Sequence, residues 1–495
     1  MQQTIFLFVM IAGAALIALA ATVVMASTVQ LTSSRTHGYL HLIFYAMLIM
    51  VALGTLLSSR DLSVSSFNLE EAGVTQRNPI IRWSQPLVSL LMLTVAGERI
   101  ISFWLRREKS DFASSALLGA FVIFWICSVA APAFLGAQPF VSHDYAYPLV
   151  LGAAAILATS VERDLAFQAA RNALMVFMSA GLLLIPLQPS LVLETSYTQG
   201  LLPGLPRLAG LAAHAVSLSV LSLLGLICLM ASPYRRIWLN RLAWAVGLTV
   251  LFLAQSKTAW LSFVLCWICF LAVRQGDGFW RRAGDPVRPE VGIVSILGLM
   301  LAVLAVGMVL IVGDLGSQLD VFLNSSEGAQ LASFTGRDKI WAIAYDEWRR
   351  NPVFGYGPLI WETEFRISIG MPNATHAHNQ FMDTLSRSGT VGAVALVVYG
   401  LVLMGLSVRY AKQSRGLTLA LFILMAMRSV SEVPLSLFGY GPEFITHLLL
   451  LIALAAVASE VRSRKAQAVH IQASSGFPPI PYPAKSTLAA ARSRL

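Results

Sequence analysis

The chain has 495 residues, of which 57% are hydrophobic and only 12% charged, and its mean hydropathy is +0.70. Soluble domains carry about 25% charged residues, and here apolar runs of about 20 residues, each long enough to cross a bilayer, recur along the chain. Fibrous, disordered, disulfide-rich and soluble-enzyme readings are excluded. The net charge of +10 would suit nucleic acid in a soluble protein. Here the basic residues fall in short segments between apolar runs, the pattern that orients a membrane protein, so no nucleic acid is expected.

In chain order the apolar runs lie at 4–27, 39–58, 84–104, 114–136, 147–160, 166–187, 208–231, 238–254, 258–273, 292–313, 390–408, 416–434 and 443–459. The run at 147–160 is short, so about 12–13 spans are expected of an all-α polytopic integral membrane protein. The first run has no basic segment before it and reads as an uncleaved span. Basic residues follow alternate spans: Arg99, Arg106, Arg107 and Lys109; Arg163 and Arg171; Arg235, Arg236 and Arg241; Arg274, Arg281, Arg282 and Arg288; Arg409, Lys412 and Arg415. The intervening loops are almost free of Lys and Arg from span three onward, which turns the first set to the cytoplasm. Upstream the alternation is weak, because 59–83 carries Arg60, Arg77 and Arg82. All four cysteines lie in apolar runs, and Cys266 and Cys269, although spaced CxxC, read as buried thiols. The Pro-rich basic tail, 461–495, reads as a disordered cytoplasmic extension.

Residues 314–378 form the longest stretch outside the spans, with eight acidic and five basic residues, on the outward side. Loops of this length that are not disordered carry function. A helix is expected from Thr335 as N-cap to Arg350, stopped by Asn351-Pro352. Trp341, Tyr345 and Trp348 share one face of it, which suggests a helix lying along the membrane interface.

Ionisable groups at the outer membrane face are costly to keep there and default to functional candidates. Thr375-His376-Ala377-His378-Asn379-Gln380 is the richest cluster, and histidine titrates near neutrality and suits proton transfer. Two histidines at i, i+2 also raise a metal, but no third ligand accompanies them in sequence, so no metal and no cofactor is expected. Arg337 opens the loop helix, where unpaired N–H groups favour an anion and a guanidinium can hold phosphate through two bonds. Lys257 and Arg207 are two further outward cations. Together the three cations and the histidine pair suggest a receptor for a di-anionic group with a base beside it. Arg428 and Glu432, at i, i+4 near the end of the span 416–434, read as a structural ion pair.

These residues resemble a known family. His378-Asn379, nine residues, then Gly389-Thr-Val-Gly392 is similar to the H-[NSQ]-x9-G-x-x-G pattern of the O-antigen ligase and O-antigen polymerase superfamily. Gly336-Arg337-x-x-Ile340-Trp341, followed by Asn351-Pro352-x-x-Gly355-x-Gly357, resembles that family's large periplasmic loop. Ser256-Lys257-Thr258 stands where the family has a Ser-Arg pair, and Arg207-Leu-Ala-Gly210 precedes a His214 that lacks the family's following Pro-Asn. The resemblance covers roughly 200–410 and implies a GT-C-like helical protein. Its parts would be N-terminal helices 1–190, core helices 191–313, a large periplasmic loop 314–389, C-terminal helices 390–460 and the tail 461–495.

The resemblance further implies a metal-independent glycosyltransferase of the bacterial inner membrane, working on the periplasmic side. Its donor would be an undecaprenyl-diphosphate-linked oligosaccharide, and its acceptor a sugar on another lipid-linked glycan or on lipid A–core. His378 would be the general base and Arg337 a catalytic diphosphate ligand, while Lys257, Arg207, His376 and Asn379 would bind substrate. The expectation is an inverting polymerase of the exopolysaccharide-production type, with an O-antigen ligase as the alternative. A chain-length regulator and a flippase are expected partners. A transporter or flippase of lipid-linked sugars is the reading of another class; its polar groups would sit at the bilayer midplane, whereas here they gather at one face.

Overall fold

The computed structural model describes residues 38–58, 60–62, 79–105, 114–195, 205–283, 337–371 and 374–474. The runs 4–27 and 292–313, the loop residues through Gly336 and the end of the basic tail lie outside the described residues.

The protein is an all-α polytopic membrane protein. In hydrocarbon every main-chain polar group needs a partner within its own segment, which selects helices. Those described are α1 (Leu42–Leu56), α2 (Pro79–Leu105), α3 (Ser115–Leu135), α4 (Ala146–Ile156), α5 (Ser160–Leu183), α6 (Ala215–Ala231), α7 (Ile237–Leu253), α8 (Lys257–Ala283), α9 (Arg337–Arg350), α10 (Thr363–Ser368), α11 (Gln380–Arg409), α12 (Leu417–Ser431) and α13 (Phe444–Ser474). Segments of α2, α3, α8, α11 and α13 are long and apolar enough to cross a membrane, and α1, α6, α7 and α12 are shorter apolar helices. Two two-residue strands, β1 (Leu193–Glu194) and β2 (Arg207–Leu208), pair antiparallel.

The expected runs and the described helices coincide closely, with four differences. The last helix continues to Ser474, so residues 461–474, expected to begin a disordered tail, are helical. The run at 147–160 is a helix of 11 residues. The run starting at 208 begins as strand and turn, because Arg207 and Leu208 pair with β1, and α6 starts only at Ala215. α11 starts ten residues before the apolar run at 390, so its first turns are polar and buried in the site described below.

The core is one continuous apolar cluster centred on α13, whose residues from Leu448 to Ala458 are all buried. Valines and leucines of α11 such as Val394, Val398 and Leu401 point outward and stay exposed, as helices facing lipid do. Several basic residues assigned to loops sit inside helices instead, and two of them are buried. Arg99 is buried in α2 and pairs with Glu162 at 3.3 Å. Glu162 also closes a capping box with Thr159 at the start of α5. Arg171 lies in α5 with its guanidinium 3.7 Å over the Tyr234 ring, and it donates to the Ser232 carbonyl. A cation in that position is stabilised by a carboxylate or an aromatic face rather than by water. Residues of α9, α10 and the segment before α11 form a second, smaller apolar cluster of Ala344, Ile360, Trp361, Phe365, Ala374 and Ala377. The loop therefore has its own core.

Candidate functional site

The site is built on the first turns of α11, and the spacing of its motif has a mechanical cause. Asn379 is the N-cap, its side chain accepting the Met382 N–H at 3.0 Å. Ten residues on, Gly389 breaks the helix at φ 63, ψ −164. The kink separates the Ser386 and Arg387 carbonyls from the Thr390 and Val391 N–H groups that a regular helix would give them. The segment 352–357 satisfies all four. Pro352 and Val353 carbonyls accept from Thr390 and Val391, while Tyr356 and Gly357 N–H groups donate to Ser386 and Arg387. A Cβ on Gly389 would meet the Val353 carbonyl oxygen at 2.3 Å, and one on Gly355 the Arg387 carbonyl carbon at 2.6 Å. These two glycines are the contact surfaces of one joint. Gly392 serves a neighbouring approach: Ser388 Oγ bonds the Ser128 carbonyl at 2.7 Å, in the π-helical turn Ile126–Ala130 of α3.

This joint positions the histidines. Between them, Ala377 is held from both sides: its N–H donates to Asp383 Oδ1 at 3.1 Å and its carbonyl accepts Trp341 Nε1–H at 2.9 Å. Asp383 is in turn paired with Arg387 at 3.3 Å. His378 occupies the left-handed region at φ 49, a conformation rare for a side chain of its size and associated with functional sites. The imidazoles lie 4.2 Å apart, centroid to centroid. His376 Nδ1 accepts the His378 main-chain N–H at 3.1 Å, so its proton sits on Nε2, which reaches Glu432 Oε2 at 3.1 Å. His378 Nδ1 reaches the same oxygen at 3.3 Å, and a carboxylate only accepts. Both tautomers are thereby fixed, and His378 Nε2 carries the lone pair.

Glu432 stands just past the end of α12. Burial acts to raise its pKa, but the His378 hydrogen bond and the Arg428, His376 and His378 charges outweigh it and bring it down to about 2. Burial, with the neighbouring His378, lowers His376 below its ordinary value, against the pull of Glu432 and Asp383. The expected Arg428–Glu432 ion pair is present, but it is not the shortest contact of either group. Those groups are 3.9 Å apart, whereas Arg428 bonds Glu443 at 3.0 Å, and Ser217 on α6 bonds Glu443 at 3.1 Å. Glu432 is shared between Arg428 and the histidines, and a polar chain runs from α6 through Glu443, Arg428 and Glu432 to His378.

The cations expected to bind substrate are not equivalent. Arg337 is the first residue of α9 and half-buried, one turn before the Trp341 that docks on Ala377. Trp348, on the same face, donates to Thr390 Oγ1 at 3.0 Å, so two of the three aromatics of α9 bond α11 or the segment just before it. Lys257 opens α8 and is exposed. Arg207 is buried, lies 3.5 Å from Glu194 and bonds the Ala254 carbonyl at 3.3 Å, which pins the turn before Lys257. Arg60, which sequence reasoning passed over, donates to the Gly210 and Ala212 carbonyls at 2.6 and 2.7 Å and holds the same loop. Glu432 was read only as the partner of Arg428; its one signal in sequence is a carboxylate at the end of an apolar run. With it, His376, His378 and Glu432 place three possible metal-ligand atoms within 4.8 Å of one another, so the third ligand missing from the local sequence is supplied by the fold. The two imidazole N–H groups already give that carboxylate its partners.

Residues 242–397 match the model of the O-antigen ligase family. This segment, about a third of the chain, is thus similar to the O-antigen ligase family, whose members are membrane glycosyltransferases. The match starts in α7 and ends in α11, taking in Lys257, Arg337, both histidines and the Gly389 joint. No curated protein matches the chain significantly.

Proposed function

We propose that this membrane glycosyltransferase polymerises a lipid-linked repeat unit on the outer face of the bacterial inner membrane. The observation that carries the reading is the His378–Glu432 dyad beside the Arg337 end of α9. An acceptor hydroxyl gives its proton to His378 Nε2 as its oxygen attacks the anomeric carbon of the donor sugar. The bond from that carbon to the diphosphate oxygen breaks, and undecaprenyl diphosphate leaves with the bonding pair. Glu432 holds the imidazole in the required tautomer and stabilises the imidazolium that forms, as the acidic member does in other base–carboxylate pairs. Arg337 and Lys257 offset the charge growing on the diphosphate, a role that positive groups fixed at the site can fill. Attack opposite the leaving group inverts the anomeric centre. His376 assists by holding Glu432, and Asn379 by starting α11 at the site. Arg207 acts from beneath Lys257.

The test is the carbohydrate profile of a deletion strain complemented with wild type, His378→Ala or Arg337→Ala. Loss of secreted polymer in the deletion and both variants, with single lipid-linked repeats accumulating, is expected. Intact polymer with undecorated lipid A–core would instead make the protein a ligase. Normal glycans in every strain would remove the enzymatic reading.

A further inference from the structure

At the far end of the bundle, five helices open onto a cavity of about 1050 Å³ that the glycosyl-transfer site does not use. It lies beyond the C-terminal end of α11, a kinked helix of 30 residues that starts at the histidine site, so the two are at opposite ends of a helix whose part after the kink alone spans about 30 Å at 1.5 Å per residue. Phe167, Met230, Leu417 and Val457 contribute apolar wall. Arg274, Lys412, Arg415 and Arg464 also line it, with Arg163 beside Asp164 and Glu460. Both acids of the lining bond Arg163, each at 2.9 Å, so the remaining lining keeps a positive excess.

Two of its cations are placed against their mutual repulsion. Arg274 donates to the main-chain carbonyls of Arg415 and Met230, each at 3.3 Å, and its guanidinium lies 4.8 Å over the Phe270 ring. Arg415 sits beside it in a left-handed conformation at φ 53, one that costs energy for a residue with a side chain. Among the described residues neither has a carboxylate partner. Two neighbouring arginines, one bonded through its guanidinium to the other's main chain, beside an apolar wall at the helix ends, match the chemistry of a phosphate diester carried on acyl chains. Basic pockets between helix ends recognise acidic lipid headgroups in this way.

We propose that this cavity binds the headgroup of an acidic phospholipid, with Arg274 and Arg415 on the phosphate and the acyl chains along Met230 and Val273. The site tethers the loop 410–416, and through it the helices α11 and α12, whose opposite ends carry His378 and Glu432. Binding itself does not depend on the glycosyl-transfer reading, and its test reads no glycan.

Full-length protein in detergent is incubated with phosphatidylglycerol, with phosphatidylcholine, or with water-soluble glycerophosphoglycerol, and retained molecules are counted by native mass spectrometry. Phosphatidylglycerol is expected to be retained at least fivefold more than phosphatidylcholine. Retention should fall at least fivefold in Arg274→Gln/Arg415→Gln, with phosphatidylcholine unchanged. Arg415→Gln alone, a change at an exposed loop residue, should show part of the loss if the double variant fails to fold. Equal retention of both lipids, or retention insensitive to either variant, would overturn the site. Displacement of the lipid by equimolar glycerophosphoglycerol would overturn the lipid assignment in favour of a soluble phosphate diester.

Discussion

His378 Nδ1 lies 3.3 Å from Glu432 Oε2, although the two residues stand 54 positions apart in the chain. The contact exists because α12 returns antiparallel to α11 and ends where α11 begins. It decides which nitrogen of His378 is free, and so decides whether this residue can take a proton from a substrate.

Removing the charge of Glu432 while keeping its shape should therefore act through His378. In Glu432→Gln we expect kcat to fall about 10- to 100-fold with KM little changed, a smaller effect than the 10²–10⁴-fold typical of deleting a general base outright, as in His378→Ala. The acidic limb of the pH–rate profile should move as well. Steady-state kinetics on a lipid-linked donor checks this, and a change confined to KM would reassign Glu432 to substrate binding.

Acid should destabilise the protein in part through this site. His376 has its folded-state pKa lowered by burial and by His378, so the unfolded chain binds a proton first as pH drops below about 6.5. Stability therefore falls as pH is lowered from 7 towards 5. The Glu432 contribution runs in a lower window: with a folded pKa of about 2, it is complete above about 4.5 and lost as pH falls towards 2. Thermal unfolding in detergent should show a Tm that declines between pH 7 and 5, and a shallower decline in His376→Asn. Identical slopes for the two proteins would exclude the assignment.

The glycine joint gives a structural test. Gly389→Ala puts a Cβ 2.3 Å from the Val353 carbonyl oxygen at a positive φ, and should cost about 2–4 kcal/mol from backbone strain plus overpacking. Gly400→Ala, in the same helix with open space around it, should be neutral or stabilising by about 0.5–1 kcal/mol. Unfolding midpoints of the two variants check the contrast; equal midpoints would mean that the kink is not fixed by its neighbours.

Arg428 is the cation on which two carboxylates depend. Arg428→Met leaves Glu443, whose side chain is 32% exposed, without its 3.0 Å partner and strips Glu432 of a nearby positive charge, at a cost of about 1–3 kcal/mol. Adding Glu443→Gln should return part of that loss. A double variant as unstable as the single one would show that the Arg428–Glu443 pair is not the source.

What the sequence determined by itself is whatever follows from local chemistry along one stretch of chain. Apolar length fixed the helices, because a bilayer leaves a span of about 20 residues no other way to satisfy its main chain. The spacing from His378-Asn379 to Gly389 and Gly392 identified the family element, since cap, kink and close approach are all set within one helix. The tertiary structure decided what depends on distant segments meeting. Glu432 also serves the histidines and Arg428 also holds Glu443, contacts an i, i+4 rule could not find because it sees a single helix. Arg99 and Arg171, read as loop cations, lie inside helices beside Glu162 and Tyr234. Arg207 faces Glu194 through a strand pair of two residues, too short to register as a pattern. Charges in a low-dielectric interior take the partners that packing brings within about 3–4 Å, and sequence separation carries no information about that distance.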